Sequence, residues 1–283
     1  MKHLIVETIE KSNFKKKMDL ELRTLDNEKV DSFVRKADFD CDLDLTADAY
    51  DSIESGAFKN CRDVAIKSLK LKGGSDKRNF HIGENFSILE PLKNCLVRLC
   101  LSTMKLTCSF NFDLPQLQSL KLEHCSLDDN IDKTAFKSLK ELSLLDVTSN
   151  IFFKSDWLEN LDNLEVFYFS DTSMTNYSQI NFNKSFLRRS NKLKGLIVNS
   201  LKLKIDLKCF NHFTELKYLI LKNVEIINES DFWPNLKNLE NLIILNVNNL
   251  HVHKISELVN LKWLYLNRTH LCVSKYREML RIE

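Results

Sequence analysis

Glycine and proline are scarce in this chain, with five and three residues in 283. So few glycines leave little room for the close backbone approaches that nucleotide sites need, and no glycine-rich phosphate loop is present. The lone Gly73-Gly74 pair reads as a loop. His-Glu-x-x-His and Gly-x-Ser-x-Gly are also missing, which removes two common hydrolytic signatures. No apolar run approaches the ~20 residues of a membrane-spanning helix. The eight cysteines form neither a Cys-x-x-Cys pair nor a terminal cluster. They therefore read as thiols, with Cys61 and Cys125 at core places. A formal net charge of +2 argues against bulk electrostatic capture of nucleic acid, which calls for a concentrated basic face. The longest basic run, Lys15-Lys16-Lys17, is a solvated edge. The first residues give only Leu4-Ile5-Val6 before Glu7, too short for the apolar segment of a secretory signal. The chain is thus expected to be intracellular or a piece of an ectodomain.

What is present is a repeating leucine pattern. Its clearest copies are Leu117-Gln-Ser-Leu120-Lys-Leu122-Glu-His-Cys125-Ser-Leu127 and Leu216-Lys-Tyr-Leu219-Ile-Leu221-Lys-Asn-Val224-Glu-Ile226. Apolar residues occupy places one, four, six and eleven, with a small or apolar residue at nine. Copies anchored on the first place begin at Asp40, Cys61, Leu96, Leu117, Leu139, Leu164, Leu193, Leu216, Leu242 and Leu261, 19 to 35 residues apart. Side chains alternate along a strand, so places four and six face inward while three, five and seven face out. Return segments carry aromatic plugs such as Phe58, Phe136 and Phe232.

On these copies, residues 40–272 resemble the leucine-rich-repeat superfamily. The Ile53-Glu-Ser-Gly-Ala-Phe58 phrase is similar to typical repeats of animal Toll-like receptor ectodomains. The resemblance implies an α/β solenoid of about ten coils, a horseshoe with a concave parallel sheet and helical or irregular returns. Residues 1–39 are read as a cap or degenerate repeat, and 273–283 as a tail. The ninth place departs from the family's asparagine: it reads Leu69, Met104, Cys125, Val147, Thr172, Leu201, Val224, Leu250 and Thr269. Turn backbone without that asparagine needs other partners, either waters or the nearby Asn223 and Asn249.

The expected function is non-enzymatic recognition of a protein, of receptor or adhesion type, with no cofactor and no metal. The alternative is an intracellular substrate-binding adaptor, such as an F-box ubiquitin-ligase component. An F-box segment would carry a Leu-Pro pair before the repeats, and residues 1–39 contain no proline. The binding face is placed on the outward C-terminal stripe of Tyr168, Ile197, Tyr218, Ile220, Ile244, Asn246, Trp263 and Tyr265. Exposed aromatic and aliphatic residues rimmed by polar ones suit a protein partner. The N-terminal outward places, read as Asp42, Asp44, Thr46, Asp63, Ala65, Lys67, Arg98 and Glu141, are more charged. His251, His253, His270 and Cys272 fall at matching places of two successive copies, a rectangle that four-coordinate zinc would have to draw together. A chance surface cluster is the competing reading. Five Asn-x-Ser/Thr sequons, at Asn85, Asn176, Asn183, Asn228 and Asn267, tilt the compartment toward the extracellular or cell-surface side.

Overall fold

A computed structural model of the chain describes residues 24–25, 52–53, 66–72, 81–82, 89–106, 114–127, 136–149, 158, 161–172, 186–201, 203–228, 233–247 and 255–267. The chain divides into two compact units. One contains Met1–Leu139 and Val147–Ser149, the other Lys140–Asp146 and Asn150–Glu283.

Among its described residues the N-terminal unit holds three parallel ladder strands: β1 (Ser68–Lys72), β2 (Arg98–Ser102) and β3 (Ser119–Glu123). They pair in order and in simple register, with Lys70 opposite Cys100 and Cys100 opposite Lys121. The C-terminal unit holds six: β4 (Glu141–Leu145), β5 (Val166–Asp171), β6 (Gly195–Ser200), β7 (Tyr218–Lys222), β8 (Asn241–Leu245) and β9 (Trp263–Asn267). Each of these pairs parallel with the next in sequence. All-parallel neighbours one coil apart are the mark of a solenoid, because each strand needs a crossover before the next.

Leucine spacing produces this arrangement directly. Within each strand from β1 to β8 the two inward residues are buried, as in Leu120/Leu122, Leu142/Leu144 and Leu219/Leu221. The residue two before each of these eight strands, such as Leu117, Leu164 or Leu216, is also buried and closes the inner row, whereas Leu261 before β9 is only half-buried. Return segments supply the opposite wall. Phe136, Phe186, Phe210, Phe213 and Trp233 are buried there, with Phe167 and Phe186 edge-on at 5.7 Å between ring centroids. The returns are short 3-10 turns: Glu90–Leu92, Leu207–His212, Trp233–Asn235 and Ile255–Glu257. Asp206 caps the longest by accepting from the Lys208 N–H at 3.0 Å.

Two copies start elsewhere than the leucine pattern alone indicates. β1 places Ile66 at the first place and Leu69 and Leu71 inside, so the copy begins at Ile66 and not at Cys61. Lys67 then sits just before the strand, and Ser68, Lys70 and Lys72 take the outward places. Likewise β8 buries Leu242 and Ile244, and the copy begins at Leu239. With both corrections, copies from Ile66 to Leu261 run 21 to 30 residues apart, a tighter range than the pattern first gave.

The turn after each strand is solved without asparagine at the ninth place. Met104, Cys125, Val147, Val224 and Val247 are buried there. The residue before each of them takes a left-handed backbone: Thr103, His124, Asp146, Asn223 and Asn246 have φ between 48° and 54°. Backbone then bonds backbone of the following coil, with Thr103 N donating to Glu123 O at 2.8 Å and Asn246 N to Asn267 O at 2.8 Å. Cys125 donates its thiol to Leu101 O at 3.3 Å. Side chains add a ladder of their own. Asn246 donates to Asn223 at 2.8 Å, Asn223 to Asn199 at 2.8 Å, and Asn199 to the Ser170 hydroxyl at 3.1 Å. The Asn223 side chain thus bonds neighbouring side chains, and it is its backbone N–H that meets the next coil, donating to Leu245 O at 2.9 Å; Asn249 lies outside the described residues.

Among residues 1–39, Thr24–Leu25 pairs parallel with Ser52–Ile53. Their separation of 28 residues falls within the 21 to 30 residues between the copies from Ile66 to Leu261. The 273–283 tail lies outside the described residues.

Candidate functional site

The six strands of the C-terminal unit carry three outward rows. The central row reads Ser143, Tyr168, Ile197, Ile220, Ile243 and Tyr265, each directly opposite the next across the ladder. All six are half-buried. From Tyr168 to Tyr265 the row is unbroken apolar and aromatic surface. At about 4.8 Å per strand it extends about 19 Å.

The row toward the strand starts reads Glu141, Val166, Gly195, Tyr218, Asn241 and Trp263. Tyr218 and Trp263 are 45% and 54% exposed, unusual for rings of that size and suited to anchoring a partner. Gly195 leaves a low point between Val166 and Tyr218. A Cβ there would lie 3.7 Å from both Val166 methyl groups, an ordinary contact, so the backbone does not demand glycine. The row toward the strand ends reads Leu145, Ser170, Asn199, Lys222, Leu245 and Asn267. It is the polar border, tied down by the side-chain ladder from Ser170 through Asn199 to Asn223.

Charge is kept to the margin. One place before the first row, Lys194 and Glu165 meet at 2.6 Å, and Glu240 takes Lys217 at 3.5 Å and Lys262 at 2.7 Å. The hydrogen bond from Lys262 holds the Glu240 carboxyl below the usual range and raises Lys262 in return. These pairs are exposed and contribute little to stability. Their effect is to cancel charge along one border of an apolar surface.

Of the eight residues read from sequence as the binding stripe, six are on this face: Tyr168, Ile197, Tyr218, Ile220, Trp263 and Tyr265. Ile244 is not. It is completely buried, because β8 begins its copy three residues earlier. Asn246 is exposed but sits in the left-handed turn, outside the strand. The residue missed is Ile243, which the corrected start of the copy places between Ile220 and Tyr265. Coil length carried the signal, since Leu239 lies 23 residues after Leu216 and 22 before Leu261.

The same correction removes the premise of the histidine rectangle. His251 and His253 follow Leu239 by more places than His270 and Cys272 follow Leu261, so they do not occupy matching places. All four lie outside the described residues. Among the described residues, no group of three or more His, Cys, Asp or Glu is arranged to hold a metal ion. The described cysteines 95, 100, 125 and 209 are in no disulfide. Burial pushes the Cys125 thiol up to about 12 and Cys209 well above its ordinary value, which leaves both as inert core thiols. No helix of the described residues is long and apolar enough to cross a membrane.

No family model and no curated protein matches this sequence. Solved structures do. An internalin of Listeria monocytogenes is similar over 80% of this chain and 69% of its own, with a TM-score of 0.51 at 18% identity. A TDR receptor is similar over 81% of this chain at a TM-score of 0.52 and 17% identity, and the chain spans 43% of that receptor's length. Parallel one-coil pairing, buried places one, four and six, and these likenesses agree: the chain folds as a leucine-rich-repeat solenoid.

Proposed function

We propose that this chain is a non-enzymatic recognition module that holds a protein partner on the outward sheet face of its C-terminal unit. One observation carries the reading. Five adjacent strands present Tyr168, Ile197, Ile220, Ile243 and Tyr265 in unbroken register, with Tyr218 and Trp263 half-exposed beside them. A run of apolar side chains on one face is costly in water unless another surface covers it. The polar border of Asn199, Lys222 and Asn267 supplies the hydrogen-bonding rim that accompanies such a centre. Tyrosine and tryptophan give large contact area at small conformational cost.

The experiment is capture from the protein's own cells followed by substitution. Tyr168, Tyr218 and Tyr265 changed together to alanine should abolish capture of the partner while circular dichroism and the urea midpoint stay close to those of the parent. None of the three is a core residue, so a folded triple variant is expected. Undiminished capture by that variant would sink the proposal.

A further inference from the structure

The outward face of the N-terminal unit has a different chemistry. Moving the copy from Cys61 to Ile66 replaces Asp63, Ala65 and Lys67 at its outward places with Ser68, Lys70 and Lys72. The three strands present Ser68, Lys70 and Lys72; Arg98, Cys100 and Ser102; Ser119, Lys121 and Glu123. Lys70 and Lys121 flank Cys100 across the ladder, and Arg98 stands two residues before it on the same strand. Four cations thus share nine outward places with a single carboxylate, Glu123, which Lys121 meets at 2.9 Å. No aromatic residue is among the nine.

We propose that this face binds an acidic segment of a protein partner, with Lys70, Arg98 and Lys121 as its contacts around Cys100. Charge complementarity selects the occupant. Side chains on neighbouring strands stand about 4.8 Å apart and leave the sheet side by side. They therefore meet several carboxylates spread along a chain better than one phosphate, which needs donors converging on a point. Single-stranded nucleic acid needs stacking rings, which this face lacks. A duplex needs a run of phosphate contacts longer than three strands allow. Seryl hydroxyls at Ser68 and Ser119, on either side of Arg98, add donors for the same carboxylates.

The test uses the full chain and a fluorescent peptide alternating glutamate and alanine. A length of about ten residues crosses the three strands with room to spare. Binding is expected, falling steeply with salt because the contacts are exposed ion pairs. The double variant Lys70→Gln/Lys121→Gln should bind at least about tenfold more weakly, and Glu123→Gln should bind more tightly. Lys208→Gln/Lys237→Gln, which removes two exposed cations of the other unit, should change nothing. Bound peptide should also slow alkylation of Cys100, read by peptide mass mapping. No binding, equal loss in both double variants, or tighter binding of a short DNA duplex would overturn the proposal. Tyr168→Ala/Tyr218→Ala/Tyr265→Ala leaves this face intact, so its outcome is independent of the apolar one.

Discussion

Ile243 and Ile244 are neighbours in β8 with opposite fates, and replacing each by alanine tests the repeat register. Ile244 is fully buried and lies in register between Leu221 and Leu266. Truncation there removes three carbons between two strands that hydrogen bonding holds about 4.8 Å from β8, so the space cannot close. Buried isoleucine-to-alanine changes cost about 2–5 kcal/mol, the transfer and cavity contributions together. Ile243 points the other way and is only half-buried. Its loss forfeits part of one side chain's contacts and leaves no cavity, about 1 kcal/mol or less. With a urea dependence of about 2–3 kcal/mol per molar, Ile244→Ala should lower the midpoint by about 1–2 M. Ile243→Ala should lower it by no more than about 0.5 M on the same scale. The reverse order holds for partner capture, where only Ile243→Ala should weaken binding. A strand slipped by one residue exchanges its two faces. Equal midpoint shifts, or a larger one for Ile243→Ala, would therefore refute the register and the site built on it.

Three further outcomes follow from the same geometry. Cys125, with its thiol pushed up to about 12, has about one thiolate in ten thousand at pH 8. It and Cys209 should escape alkylation in the folded protein and react once urea unfolds it; labelling of either in the native state would contradict their burial. His212 is held neutral chiefly by burial, while carbonyl bonds from Leu187 and Phe186 partly oppose that and Arg188 adds to it. Its folded value lies below the ordinary 6.5, so the unfolded chain binds the proton first and stability falls as pH drops from 6.5 to the folded value, levelling off below it. His212→Gln should flatten this part of the profile, and an unchanged slope would remove His212 as its source. Asn223 combines a φ of 54° with hydrogen bonds to Asn199 and Asn246. Asn223→Ala loses both bonds and adds about 1–2 kcal/mol of backbone strain, whereas Asn223→Gly loses only the bonds, so the glycine variant should be the more stable by urea denaturation.

Much of this fold is legible in the sequence because one physical rule dominates it. Leucines at places four and six have no other way to be buried together, and six of the eight stripe residues follow from that alternation. The two displaced copies show where the rule weakens. Leu242-Ile243-Ile244-Leu245 is apolar throughout, and starting at Leu239 or at Leu242 satisfies places one, four and six equally well. Cys61, Val64 and Ile66 imitate a copy in the same way. Local periodicity cannot separate such alternatives; coil length does, since neighbouring strands must stay in register. The turn was legible only in part. Asparagine, aspartate and histidine tolerate left-handed backbone, which points to His124, Asp146, Asn223 and Asn246, but nothing in the pattern marks Thr103. The cationic N-terminal face was hidden by the misplaced copy at Cys61, which assigned the outward places to Asp63, Ala65 and Lys67 instead of Ser68, Lys70 and Lys72.

The most direct test of the central claim is site-specific photo-crosslinking of the bound partner. A benzophenone side chain placed at Ile220 or Ile243 should join the partner, while the same group at Lys208 or Lys237, exposed away from the ladder strands, should not. Crosslinks from Lys208 or Lys237 with none from Ile220 and Ile243 would place the partner elsewhere and contradict the account.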